Sequence, residues 1–145
     1  RDPRYRVMSI AYYALVRSTD YLLQAGLDIA EVQWFPLAAM PQLAFDHKEI
    51  LEVAVARLKG KIRYQPLGFE LLPEQFKMPD LHRLYEVVLQ APIDRGNFRK
   101  KILSLDLLID HSALQKNRPS RGAKLYSFDK VKYESLTQSG FYFEV

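Results

Sequence analysis

The sequence predicts an α+β chain in two parts. An incomplete α/β domain over residues 1–60 and a connector over 61–73 lead into a helix-turn-helix with a basic hairpin over 74–145. Three observations carry this. The apolar pattern of the first part has the two-residue period of strands, and from Leu72 it takes the 3.6-residue period of helices. The order helix, short turn, helix, hairpin is that of a winged helix-turn-helix. The charge is also confined: residues 1–91 hold 11 basic and 11 acidic side chains, residues 92–124 hold 8 and 3, and residues 125–145 hold 2 and 3. A local basic stripe points to a polyanion partner more directly than the overall pI does.

The first part is read from two strands and one helix. Arg6–Val16 alternates with apolar residues on both faces, the mark of a central strand covered on both sides. Ile29–Phe35 is a second strand, with Val32 and Trp34 on one face and Pro36 as its stop. Asp46 opens a helix, with Glu49 at capping-box spacing, an apolar stripe of Leu51, Ala54, Val55 and Leu58, and Gly60 as a stop. One helix cannot cover both faces of a central strand. Residues 1–60 are therefore expected to be the back half of a larger domain, covered by an upstream half or by self-association.

Residues 61–73 read as a connector punctuated by Pro66 and Gly68. Pro79–Gln90 then sets Leu81, Leu84, Tyr85, Val88 and Leu89 on one helical face. Pro92 breaks the chain and Asp94 is an N-cap for the next helix, 93–105. There Phe98, Ile102 and Leu105 share the inner stripe, Gly96 and Lys100 point away, and Asn97 and Arg99 lie on the shoulders. Leu107–Asp110 and Ala123–Phe128 are the strands of a hairpin whose tip, His111–Gly122, is polar and basic. Asp129–Gln138 is a closing helix and Phe141–Val145 an apolar tail.

That arrangement suits a DNA groove. Arg95, Asn97, Arg99 and Lys100 are the candidates for the major groove, because Asn and Arg pair bidentately with adenine and guanine edges. Lys116, Arg118, Arg121 and Lys124 are the candidates for phosphate or minor-groove contact through the wing. Lys101 lies nearer the buried stripe and is a weaker candidate. The plain alternative is a small packing domain whose charges only solubilise it.

Other functions find less in the sequence. A chain of 145 residues, 48% hydrophobic and 26% charged, is globular. The absence of cysteine excludes disulfides and thiolate metal sites and fits a reducing cytoplasm. The longest apolar run is too short for a membrane span, and Arg1-Asp2-Pro3-Arg4 is not a signal peptide. His47, His82 and His111 show no paired metal-ligand spacing. His82 reads as a surface or boundary residue. No nucleophile–base pair or glycine-rich phosphate loop is present, so neither a cofactor nor a catalytic residue is assigned and a non-enzymatic role is expected. A Nudix box is absent: only Gly68 has a Glu six residues on, Glu74, and His82-Arg83 stand where Arg-Glu is needed.

Several segments nonetheless resemble a known family. Asp2-Pro3-Arg4 before RVMSIAYYALV, Trp34-Phe35-Pro36-Leu37 and Leu43-Ala44-Phe45-Asp46-His47 resemble the second half of a Nudix domain. Pro66–Pro73 (PLGFELLP), Leu84-Tyr85-Glu86, Asp94–Leu103 (DRGNFRKKIL), Ala123–Phe128 and Gly140–Glu144 (GFYFE) resemble the Nudix-related transcriptional regulators, the NrtR family. The resemblance runs over nearly the whole chain and is most specific from 66 to 103. It implies a Nudix-like effector domain joined to a C-terminal winged helix, working as a homodimeric repressor on a double-stranded DNA operator. The implied effector is ADP-ribose or a sugar such as arabinose. Gly96 departs from the family, where many relatives carry a larger, often basic residue. On the effector side, Arg4 is the best basic candidate for a phosphate or a sugar hydroxyl. Asp46 and His47 are next, because the N–H groups at a helix start receive anions. The competing class is an enzyme, a Nudix hydrolase of a nucleoside diphosphate sugar with a C-terminal accessory domain.

Overall fold

The structure, a computed structural model, describes residues 8, 10–26, 30–111 and 124–145. The chain divides into two compact units, Arg1–Arg57 and Leu58–Val145. In the first, the described residues form two single 3₁₀ turns, Ser18–Asp20 and Leu37–Ala39, before a long helix, α1 (His47–Tyr64). Arg17 pairs with Asp20 across the first turn at 2.7 Å.

The two strands expected in this unit do not form among its described residues. Tyr12 is 89% exposed and Trp34 53%. The reason lies in the ladder. A strand is held by a neighbour that takes its N–H and C=O groups and by layers over its apolar faces. The pairing found among the described residues lies in the other unit.

The helix expected from Asp46 is present, and Leu51, Ala54, Val55 and Leu58 are its half-buried stripe. It does not stop at Gly60. The stripe continues one turn past Leu58 to Ile62, which is fully buried. Burying Ile62 contributes about 1.5–3 kcal/mol, against roughly 1 kcal/mol lost by a glycine inside a helix. Packing wins over propensity here.

The second unit is helical with a small sheet. A single turn, α2 (Leu67–Glu70), precedes β1 (Phe76–Lys77) and the helices α3 (Met78–Leu89) and α4 (Arg95–Ser104). The hairpin strands β2 (Leu108–Asp110) and β3 (Leu125–Phe128) are followed by α5 (Lys130–Gln138). The sheet is antiparallel in the order β1-β3-β2. Leu108 faces Phe128, and Tyr126 faces both Asp110 and Phe76. Asp129 caps α5 by accepting from the Lys132 N–H at 2.9 Å.

The stretch read as a connector is part of this core. Phe69 on α2 stacks on Phe128 of β3, with centroids 4.3 Å apart and planes at 13°, meets Phe76 at a tilt of 46° and meets Phe143 edge-on. The tail is fixed too: the Val145 N–H donates to the Arg63 carbonyl at 2.9 Å.

Gly68 is where α2 touches α3. A Cβ there would lie 3.0 Å from Tyr85 Cε2 and 3.3 Å from Leu84 Cδ2. Gly68→Ala is therefore expected to destabilise the unit by about 1–3 kcal/mol, the range for an overpacked core. Tyr85 is fully buried, and its hydroxyl has no hydrogen-bond partner among the described residues. Tyr85→Phe removes that desolvated group and should leave the urea midpoint equal or higher. Burial also pushes the Tyr85 phenol up from its ordinary 10.0. The folded chain then keeps a proton that the unfolded chain releases above about pH 10, so stability falls as pH rises past that point. Denaturation series at neutral and alkaline pH should show a smaller alkaline loss in Tyr85→Phe.

Candidate nucleic-acid interface

The helix-turn-helix is built from α3, three turn residues and α4. Lys77 is the N-cap of α3, with its N–H donating to Asp80 Oδ2 at 3.2 Å and Pro79 in the first turn. The helix ends at Gln90, whose φ of 54° lies in the left-handed region, and its side chain accepts from Lys59 Nζ at 2.6 Å. Ala91, Pro92 and Ile93 make the turn. Asp94 is the N-cap of α4 and accepts from the Asn97 N–H at 2.8 Å.

Side chains of α3 hold the turn by both backbone groups of Ile93. The Ile93 N–H donates to Glu86 Oε1 at 3.1 Å, and His82 Nε2 donates to the Ile93 carbonyl at 2.8 Å. His82 Nδ1 lies 3.5 Å from Glu86 Oε2. His82 is buried, not at the surface or boundary as its sequence context suggests, because its ring donates inward to the part-buried Ile93 carbonyl at the turn. Its ring also meets Phe98 edge-on, at 5.2 Å and 78°, and Tyr85 meets Phe98 at 5.1 Å and 61°. Phe98 and Ile102 are the buried residues of α4, and Leu105 packs against the same core half-buried.

With that stripe inward, Arg95, Gly96, Asn97, Arg99 and Lys100 are all exposed. Gly96 has room: an added Cβ would meet only Asp94 Oδ1, at 3.4 Å. Lys101 is set apart and pairs with Glu144 at 3.7 Å. Lys124, at the base of the wing, pairs with Asp110 across the hairpin at 2.7 Å. The Asp110 hydrogen bond raises the Lys124 ammonium above its ordinary value, and the positive charge of Arg99 opposes the rise. His111 Nε2 and Ser127 Oγ, 2.8 Å apart, tie the two wing strands further.

Lys116, Arg118, Arg121 and Arg4 lie outside the described residues. Asp46 and His47 lie at the start of α1, with the His47 ring edge-on to Phe45 at 6.2 Å. Among the described residues no three His, Asp or Glu side chains converge to hold a metal ion, and no helix is long and apolar enough to cross a membrane.

Sequence reasoning missed three residues of this site: His82, Glu86 and Arg83. The four-residue spacing of His82 and Glu86, just before a proline turn, was the available signal for the first two. Arg83 carries none. It emerges only when α3 and α4 are packed, as one wall of a groove of about 530 Å³ shared with Arg95 and Arg99.

Comparison with known proteins agrees with this geometry. Residues 68–128 match the family described as the NrtR DNA-binding winged helix domain. The "ADPR responsive transcriptional repressor NtrR" of Acinetobacter baylyi is 32% identical over 139 residues, which is 92% of this chain and 54% of that protein. The chain thus spans about half the length of this curated relative. An "ADP-ribose pyrophosphatase" of Methanocaldococcus jannaschii is 42% identical over 52 residues, 36% of this chain and 30% of that one. The crystal structure of Shewanella oneidensis NrtR aligns with a TM-score of 0.51 at 40% identity, over 70% of this chain and 48% of that one. The same protein complexed with a 27mer DNA gives 0.52 at 39% identity, over 66% and 44%. Residues 68–128 are thus an NrtR-type DNA-binding winged helix domain, and over most of its length the chain is similar to NrtR proteins.

Proposed function

We propose that the chain is the DNA-binding part, with a portion of the sensing part, of an ADP-ribose-responsive transcriptional repressor. α4 enters the major groove, with Arg95, Asn97, Arg99 and Lys100 toward the bases and nearby phosphates. Lys116, Arg118, Arg121 and Lys124 grip phosphate from the wing. Residues 1–60 are the back half of a Nudix-like effector domain, 61–73 lead out of it, and 74–145 are the winged helix. Arg4, Asp46 and His47 are this half's share of the effector wall. The intact repressor is a cytoplasmic homodimer on a two-fold operator. The observation that carries the reading is the split of α4: Phe98 and Ile102 are locked under α3, and the exposed face carries Arg95, Asn97, Arg99 and Lys100. The Acinetobacter relative named as ADPR responsive supports ADP-ribose over a sugar such as arabinose. The hydrolase alternative rests on the shorter pyrophosphatase match.

Arg99→Ala and Asn97→Ala are each expected to weaken operator binding by about 1–3 kcal/mol and to relax base preference, read by gel shifts against single-base variants. Unchanged affinity and selectivity in both would remove α4 from the groove. Lys116→Ala, Arg118→Ala and Arg121→Ala should weaken all duplexes about equally, each flattening the salt dependence of log affinity by about one unit. A slope unmoved in all three would take the wing off the DNA.

The sensing half is tested in the intact protein by calorimetry with ADP-ribose and with arabinose. Ligand and operator should each lower the affinity for the other by the same factor, because coupling is reciprocal. A ligand that binds and leaves operator affinity unchanged would overturn the regulatory reading.

A further inference from the structure

We propose that the groove between α3 and the first turns of α4 is a seat for a phosphodiester of the DNA backbone, held by Arg83 and Arg95. This rests on α4 being the DNA-reading helix, and it gives Arg95 a backbone role and adds Arg83, on the preceding helix, to the contact surface. The groove has a volume of about 530 Å³ and is lined by Arg83, Arg95 and Arg99 together with Asp80, His82 and Glu86 among others. It is open to solvent beside the exposed face of α4.

The argument is one of charge left over. Both carboxylates of the groove are occupied by the fold. Asp80 accepts from the Lys77 N–H, and Glu86 accepts from the Ile93 N–H with its other oxygen toward His82. Arg83 stands three residues from each of them on α3, at a spacing that permits an ion pair. It forms none, and among the described residues neither Arg95 nor Arg99 has an ion-pair partner. Three guanidinium groups therefore line one cavity without an ion pair, and they outnumber its two carboxylates. A guanidinium offers a planar fork of N–H donors that matches two oxygens of a phosphate, and Arg is the residue suited to such contact. Two such forks from different helices fix the position of one phosphate. They therefore set the angle at which α4 enters the groove, without reading a base.

The same chemistry could seat a free phosphate or a pyrophosphate group, and the test separates the sources. The full chain is titrated by fluorescence anisotropy with two unrelated duplexes of about 30 base pairs, roughly three helical turns, across a salt series. Arg83→Ala and Arg95→Ala should each make the slope of log affinity on log salt shallower by about 0.9 per bound chain, equally on both duplexes. Arg83→Lys should keep the slope and lose affinity, since it keeps the charge and loses the fork. Arg63→Ala, a charge lost from α1 away from the groove, is the control. A slope change in Arg83→Ala no larger than in Arg63→Ala would overturn the seat. So would an unchanged slope in Arg83→Ala beside weakened binding in Arg99→Ala, which would leave the DNA-reading role of α4 intact. No binding of any duplex by the unaltered chain would overturn both. Calorimetry with inorganic pyrophosphate alone gives the remaining arm: binding that Arg83→Ala abolishes, with DNA slopes unmoved, would assign the groove to a free anion and overturn the backbone contact.

Discussion

The burial of Phe98 is the contact on which the interface depends. α4 has ten residues, fewer than an isolated helix needs to be stable in water. Its place comes from outside itself. Phe98 is 4% exposed and lies between the edges of His82 and Tyr85. Burying such a ring contributes about 1.5–3 kcal/mol, and each edge-on aromatic contact adds about 0.5–1.5 kcal/mol. Just before the helix, the two bonds to Ile93 from His82 and Glu86 fix where the chain turns. Anchor and latch act through three residues of α3, His82, Tyr85 and Glu86, so the direction of α4 is set largely by α3. Everything on the outer face of α4 inherits that direction.

The wing is tied to the same surface by weaker forces. Lys124 and Asp110 form an exposed pair, which salt screens and which contributes little to stability. Its use is geometric. It holds a cation at the wing base, while the register of β2 on β3 and the His111–Ser127 contact hold the strands. A rigid inner layer of aromatic rings thus carries an outer layer of charge that is not internally balanced.

How much of this was legible depends on how local its cause is. The helices α3, α4 and α5 follow from periodicity and from their caps, Asp94 and Asp129, which act within three residues. The basic face of α4 is legible for the same reason. β1 was not, because two residues become a strand only when Tyr126, fifty positions on, lies opposite Phe76. α2 was read as connector because its one turn is justified by Phe69 stacking on Phe128. His82 was misplaced because its partner is a carbonyl across a turn, and Gly60 was misread because the burial of Ile62 overrides a glycine's preference. The alternation of residues 6–16 is a local strand signal, but the described residues among them form no strand, because no ladder partner is found for them among the described residues. The family resemblance reached further, since the run from 66 to 103 lies mostly within the matched winged helix at 68–128.

The sign of the exposed charge has its own origin in the backbone. A helix begins with N–H groups that lack partners, and a carboxylate is the side chain that satisfies them. The acidic residues around the helix-turn-helix are used in this way: Asp94 and Asp129 cap α4 and α5, Asp80 accepts from the residue before α3, and Glu86 accepts from the turn. The basic residues have no equivalent duty, since the carbonyls at helix ends are largely taken by following N–H groups, as at Leu105 and Ser139. Building the motif therefore engages its carboxylate oxygens with the backbone and leaves Arg83, Arg95 and Arg99 without ion-pair partners among the described residues. The fold thereby generates a partner preference for phosphate before any single side chain is chosen to read a base.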